Sequence, residues 1–283
     1  MKTNVTSTYY LGLYEKSMPN TISIREKLSE TKKAGFDFME LSVDESDEKL
    51  ARLKWSNKQK QELVTAMWET GIEIRTMCLS GHRKYPIGSE VKEVRKKGLE
   101  IMWDAIRFAA DTGLRIIQVA GYDEYYRPSS DITKGLFLEN LRKSVSWAAE
   151  RGVVMAFETM ETPFMDTVAK AMYYVKIINS PYLQIYPDLG NITNAAYLYG
   201  HKVSDDLKSG EGHLVAMHVK ETAPGKYREV PFGTGHVDFT SAVEIACDLG
   251  VKIFVAEFWY NGRDDWRHQL ESANHFIRSG FKK

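Results

Sequence analysis

Four apolar runs in the second half of the chain each stop at a side chain that can bind a metal. This repetition constrains the fold more than any other feature. Val153-Val154-Met155-Ala156-Phe157 stops at Glu158, and Leu183-Gln184-Ile185-Tyr186-Pro187 stops at Asp188. Leu214-Val215-Ala216-Met217 stops at His218, and Ile253-Phe254-Val255-Ala256 stops at Glu257. Short runs rich in Val, Ile and aromatic residues read as strands, and runs without polar alternation read as strands covered on both faces. A fold that places four such strands side by side brings Glu, Asp, His and Glu together.

The first half supplies four more strands. Tyr9-Tyr10-Leu11-Gly12-Leu13-Tyr14 is the first and Phe36-Asp37-Phe38-Met39-Glu40-Leu41 the second. Residues 73–79 form the third and Ile116-Ile117-Gln118-Val119 the fourth. Helical spacing or helix-end signals mark residues 22–34, 90–112, 131–151, 164–179, 203–209, 238–249 and 265–278. A further helix opens at Ser56-Asn57-Lys58-Gln59, a capping box. Glycines at 35, 71, 113, 152, 210 and 250 close six of these helices, the usual C-terminal signal.

Strand and helix therefore alternate eight times, with no Pro/Ser-rich linker between them. Alternating units call for a parallel sheet. Eight in one chain of this length predict an α/β fold of the (β/α)8 TIM-barrel type, with residues 1–283 as a single domain. The alternative, an open doubly wound sheet, usually carries a glycine-rich phosphate loop after its first strand. Here Glu15-Lys16-Ser17-Met18-Pro19 follows instead.

Thirty-eight basic residues balance thirty-eight acidic ones, so no net positive field favours nucleic acid or an anionic membrane. Cys78 and Cys247 sit in apolar runs and read as small buried hydrophobes. Met1-Lys2-Thr3-Asn4-Val5-Thr6 has no apolar leader core, and no run approaches the ~18 residues of a membrane span. A cytoplasmic location is expected.

Active sites of barrels lie at the C-terminal ends of the strands. Glu158, Asp188, His218 and Glu257 end strands five to eight, which are neighbours around the ring. Alone, each has an ordinary reading: a surface or capping carboxylate, or a satisfied buried histidine. Together, three oxygen donors and one imidazole suit one divalent cation: Mn²⁺, Zn²⁺, Mg²⁺ or Co²⁺. Two Glu ligands on opposite sides of such a cation suit proton transfer at a carbon next to a carbonyl. One carboxylate removes the proton and the other returns it on the opposite face, through a cis-enediolate.

The chain resembles the xylose-isomerase-like barrels, and among them the L-ribulose-5-phosphate (L-xylulose-5-phosphate) 3-epimerases of bacterial L-ascorbate utilisation. The resemblance covers nearly the whole chain. It is carried by Leu11-Gly12-Leu13-Tyr14-Glu15-Lys16, by residues 35–45, by Met77-Cys78-Leu79-Ser80-Gly81-His82-Arg83 and by Ala120-Gly121-Tyr122-Asp123. Tyr186-Pro187-Asp188-Leu189-Gly190-Asn191, His218-Val219-Lys220-Glu221-Thr222 and Val230-Pro231-Phe232-Gly233-Thr234-Gly235 extend it. Met160-Glu161 departs from the Met-Asp of that pattern.

The resemblance implies that Glu158, Asp188, His218 and Glu257 bind one metal, Mn²⁺ or Zn²⁺ foremost, with Glu158 and Glu257 as the acid/base pair. It implies a sugar-phosphate substrate and a homodimer. A phosphate needs donors, and Lys16, Arg83 and Lys220 follow predicted strands, with His82 and the amides of Gly81 and Gly121 nearby. Lys16 and Arg83 read equally as solvated loop charges, and Asn191 as a turn residue or a contact to substrate hydroxyls.

Other functions on the same scaffold are a free-ketose 3-epimerase, an aldose–ketose isomerase, a sugar-phosphate binder without turnover and an endonuclease at abasic DNA sites. The last requires more ligating histidines and a basic face. This chain has seven histidines, mostly away from strand ends, and zero net charge.

Overall fold

Eight parallel strands pair in the order β6-β5-β4-β3-β2-β1-β8-β7 in the computed structural model, which describes residues 9–281. They are β1 (Tyr10–Tyr14), β2 (Phe38–Val43), β3 (Glu73–Leu79), β4 (Ile116–Ala120), β5 (Val154–Glu158), β6 (Leu183–Ile185), β7 (Met217–Val219) and β8 (Ile253–Ala256). The N-terminal residues read above as lacking a leader core lie outside the described residues. The ring closes where β6 meets β7 through parallel bridges at Ile185–Leu214 and Asp188–His218, with the His218 amide donating to Pro187 O at 2.9 Å. The closed barrel, not the open sheet, is the architecture.

The strands are apolar throughout because both faces are covered. One set of side chains, including Leu11, Leu13, Met39, Leu41 and Met155, joins the large core that also takes in the helices. Tyr14, Phe38, Cys78, Ala156, Tyr186, Ala216 and Val255 form a second cluster of their own, the filling of the barrel. A Cβ on Gly12 would fall 2.4 Å from the Phe38 ring, so β1 carries no side chain there and the ring fills that space.

Local signals set the helices. Ser23 with Glu26 and Ser56 with Gln59 form reciprocal capping boxes at the starts of α1 (Ile24–Lys33) and α3 (Asn57–Thr70). Between them lies the short α2 (Asp47–Ala51), which the sequence reading lacks. Gly71, Gly113 and Gly152 adopt positive φ and end α3, α4 (Lys92–Thr112) and α5 (Asp131–Arg151). The helix expected over 164–179 begins later, as α6 (Val168–Ile178), where the Thr167 side chain caps it.

The largest departure follows β6. The segment Leu189–Tyr199, where the sequence reading marked only Asn191 as a turn residue and assigned no helix, is α7, with Asp188 as its N-cap and Gly200 in left-handed conformation at its end. The expected helix over 203–209 is present as α8 (Val203–Ser209), but Gly210 ends it at φ −99°, without the left-handed turn. The chain continues through α9 (Phe239–Asp248) to α10 (Trp266–Gly280). No helix among the described residues is long and apolar enough to cross a membrane.

Candidate active site

The four strand-end residues meet. Glu158 is the last residue of β5, Asp188 the N-cap of α7, His218 the centre of β7, and Glu257 the residue after β8. One ligand atom from each lies within 4.8 Å of all the others, and all four residues are buried. His218 Nδ1 is 3.3 Å from Glu257 Oε2, 3.6 Å from Glu158 Oε1 and 3.9 Å from Asp188 Oδ2. Backbone bonds hold the residues in register. The Glu257 amide donates to Val219 O at 3.0 Å, and Asp188 Oδ1 accepts the Asn191 amide at 2.6 Å.

The site is short of positive charge. Lys220 is the nearest cation, its Nζ 3.1 Å from Asp188 Oδ2, 3.3 Å from Glu257 Oε2 and 2.9 Å from Asn191 Oδ1. Among the described residues, no hydrogen bond of good geometry reaches Asp188 Oδ2 or Glu257 Oε2, both fully buried. Unbonded buried carboxylate oxygens are costly unless a cation takes them. Two such oxygens, a third carboxylate and an imidazole nitrogen in one small volume fit a divalent cation.

The proton affinities respond accordingly. Burial pushes Glu158 and Asp188 above the usual carboxylate range, and the charge of Glu257 adds to the shift in both. Burial also raises Glu257, but Lys220 and His218 outweigh it and hold that carboxyl well below its usual range. At Lys220 the neighbouring carboxylates overcome burial and keep the ammonium charged.

Beneath these four residues lies a buried polar layer that the sequence reading missed. Glu40 Oε1 is 2.6 Å from His218 Nε2, and Glu40 Oε2 accepts from Thr76 Oγ1 at 2.6 Å and Tyr186 OH at 3.0 Å. Gln118 Nε2 lies 3.0 Å from His218 Nδ1 and 3.2 Å from Nε2. The available signal was a carboxylate inside the apolar run Phe38-Met39-Glu40-Leu41, since Glu is almost never fully buried without a partner.

The expected anion contacts divide. Arg83 stacks on Tyr125 with its guanidinium carbon 4.7 Å from the ring centre, and its buried Nε has no hydrogen-bond partner among the described residues. Lys220 and Asn191 lie inside the site, where Asn191 Nδ2 also donates to Thr159 O at 2.8 Å. Lys16 is 2.5 Å from Asp44 and neutralised by it. His82 turns away to Gly98 O at 3.0 Å, and burial pushes its pKa down to about 4.

The Gly121 amide is already committed to Glu158 O at 3.2 Å, so it is no free anion donor. A Cβ there would lie 2.6 Å from both Glu158 O and Met165 Sδ, which makes the glycine a packing requirement. Arg228, absent from the sequence reading, sits with Arg83 at the rim. Its Nη2 is 2.7 Å from Glu161 Oε1, which also accepts from Tyr125 OH at 2.8 Å. Trp259 is part of the wall, with Lys220 and Arg228 each 5.9 Å from its ring centre. The arrangement offers a cation cradle with two carboxylates on β5 and β8, three strands apart around the ring, beneath a cationic, aromatic rim.

The family model described as a xylose isomerase-like TIM barrel matches residues 28–279. L-ribulose-5-phosphate 3-epimerase UlaE of Escherichia coli (strain SMS-3-5 / SECEC) is 42% identical over 274 residues, spanning 96% of this chain and 95% of that protein. The protein of the same description from Salmonella paratyphi A is equally similar, 42% over 274 residues with the same coverage. Among solved structures, L-ribulose 3-epimerase superposes with a TM-score of 0.75 at 17% identity, covering 97% of this chain and 95% of that one. D-psicose 3-epimerase with D-tagatose from Clostridium cellulolyticum H10 gives 0.79 at 16%, covering 97% and 100%. At these identities the two structures establish a shared fold.

Proposed function

Since the chain belongs to the xylose isomerase-like TIM barrel family and, within it, to the L-ribulose-5-phosphate 3-epimerases, we propose that it interconverts L-ribulose 5-phosphate and L-xylulose 5-phosphate. It is an isomerase-class enzyme, with the whole chain working as one barrel. The observation that carries the chemistry is the convergence of Glu158, Asp188, His218 and Glu257 within 4.8 Å. The substrate rests on the likeness to the curated relatives along 96% of the chain.

In this reading the four residues hold one divalent cation, Mn²⁺ or Zn²⁺ first. Such a cation polarises the ketose carbonyl and its neighbouring hydroxyl. The chain's own residues move the proton. Glu158 and Glu257 approach from β5 and β8, so one takes the C3 proton and the other returns it to the opposite face. Lys220 and Asn191 are assigned to substrate hydroxyls, and Arg83, joined by Arg228, to the phosphate. Lys16 and His82 remain behind these contacts, supporting the rim. A homodimer in the cytoplasm serving L-ascorbate breakdown completes the reading.

The test is isotopic. With Mn²⁺ and L-ribulose 5-phosphate in D₂O, the protein should form L-xylulose 5-phosphate carrying deuterium at C3. Metal-loaded protein that exchanges nothing at C3 sinks the proposal. A preference for the free ketose, unaffected by Arg83→Ala, would transfer the same chemistry to an unphosphorylated substrate.

A further inference from the structure

We propose that Glu40 is a positioning residue that decides which nitrogen of His218 faces the cation. The inference rests on reading the four-residue cluster as a metal centre, and concerns a residue outside that cluster.

Glu40 sits on β2, three strands around the ring from β7, and 178 residues from His218 in sequence. It is completely buried, as are Thr76, His218 and Tyr186. Its two oxygens have separate tasks. Oε2 is occupied by Thr76 Oγ1 from β3 and by the Tyr186 hydroxyl from beyond β6. Three segments of the barrel thus fix the carboxylate. Oε1 is left pointing at His218 Nε2, 2.6 Å away.

A carboxylate oxygen at that distance requires a proton on the facing nitrogen, because two acceptors there would repel. The proton of a neutral imidazole therefore sits on Nε2. That leaves the Nδ1 lone pair on the side of Glu257, Glu158 and Asp188, which lie 3.3, 3.6 and 3.9 Å from it. With the proton on Nδ1 instead, the ring could not ligate there. Gln118 does not compete for this choice. Its near-equal distances of 3.0 and 3.2 Å to the two ring nitrogens place its amide over the imidazole, not along either lone pair. Carboxylates that hold a ligating histidine in this manner both orient the ring and raise its basicity.

A residue that only packs the barrel would affect stability and leave the cation alone. Two measurements separate the cases. In the Zn²⁺-loaded wild type, long-range ¹H–¹⁵N spectra of the histidine ring should show His218 protonated at Nε2 and unprotonated at Nδ1. In Glu40→Gln, which keeps the shape, affinity for Mn²⁺ and Zn²⁺ by calorimetry and chelator competition should fall about ten- to a hundredfold. A zinc-loaded wild type with the His218 proton on Nδ1 overturns the inference, and this result needs no variant to fold. Folded Glu40→Gln with wild-type metal affinity overturns it as well. A wild type that binds neither cation removes the metal reading itself, a result distinguishable from failure of Glu40 alone.

Discussion

The barrel buries carboxylates in two places and treats them in opposite ways. Glu15, just after β1, is completely buried and fully bonded. Its Oε1 receives Lys27 Nζ at 2.9 Å and Lys49 Nζ at 2.7 Å, and its Oε2 receives Arg52 Nη1 at 2.7 Å and the Ser42 amide at 2.9 Å. One anion there faces three cations. At the mouth, the three carboxylates of Glu158, Asp188 and Glu257 face only Lys220 and His218 among the described residues, and Asp188 Oδ2 and Glu257 Oε2 have ion-pair contacts to Lys220 but no hydrogen bond of good geometry. Full bonding with surplus positive charge marks a structural joint between β1, β2, α1 and α2. Excess negative charge, with two oxygens that lack a well-formed hydrogen bond, marks a place suited to a further cation.

The comparison breaks if the two clusters respond alike to loss of one charge. Glu158→Gln removes a proton carrier and one ligand oxygen's charge, so turnover should fall about 10²–10⁴-fold. Its unfolding midpoint in urea without metal should hold or rise, since a crowded negative charge is gone. A metal-free Glu158→Gln that is several kcal/mol less stable would contradict the division. Glu15→Gln is the converse. It strands three buried cations, and removing one partner of a buried ion cluster costs about 3–5 kcal/mol. Urea unfolding should show that loss, while the folded fraction keeps its kcat.

Cation binding sharpens the same contrast at smaller magnitude. A ligand that binds only the folded state stabilises it by about 2.7 kcal/mol at a concentration a hundred times its Kd. Mn²⁺ should produce a shift of that order in the wild type and in Glu15→Gln alike. It should produce little in Asp188→Asn. An equal shift in Asp188→Asn would place the cation elsewhere.

How much of this could be read from the sequence depended on how far apart the cooperating residues lie. The convergence of Glu158, Asp188, His218 and Glu257 was legible because each lies at or beside the end of its own strand, so a local pattern repeated four times pointed to one place. The bounds of β3 and α5 were also legible, the former from flanking glycine and loop signals, the latter from the Gly152 stop. The helix α7 was not. Its first turn, Leu189-Gly190-Asn191-Ile192, carries poor helix formers and reads as a turn. Packing overrides that preference, because a Cβ at Gly190 would lie 2.6 Å from Thr222 Cγ2 and 3.0 Å from Lys220 O. The glycine lets the helix start press against the segment just after β7 that carries Lys220.

Glu40 was hidden for a different reason. Its meaning comes from partners on three other strand segments, none of them near it in sequence. Lys16 and Gly121 show the limit of reading position alone. Both sit on the catalytic face, as their place after strands implied, but Asp44 and the Glu158 carbonyl already engage them. Position along the chain located the face. Only the contacts show which groups on it are free.

The smallest effect is the dependence of stability on pH, and its sign differs between the two clusters. Glu15 is raised by burial but more strongly lowered by Arg52, Lys27 and Lys49, so its folded pKa lies well below that of the unfolded chain. Its stabilisation is therefore complete above about pH 4, the range of an unperturbed glutamate, and is lost as pH falls through the folded value. Glu158 and Asp188 have raised folded values. Between the unfolded and folded pKa they bind protons in the folded state that the unfolded chain does not, so stability rises as pH falls. In metal-free protein, His218 acts in the same direction, because burial is outweighed by Glu40 and Glu257 and its folded pKa is also raised.

Stability in urea with chelator should thus increase from pH 7 to pH 5, by up to about 1.4 kcal/mol per pH unit for each proton of difference, and then fall below pH 4. Saturating Mn²⁺ should reverse the upper limb, since protons then compete with the cation for the same oxygens. Asp188→Asn should flatten that limb, and Glu15→Gln should remove much of the acid fall. Metal-free protein that loses stability steadily from pH 7 to pH 5 would mean that the mouth carboxylates are compensated as fully as Glu15, and that the two clusters do not differ in kind.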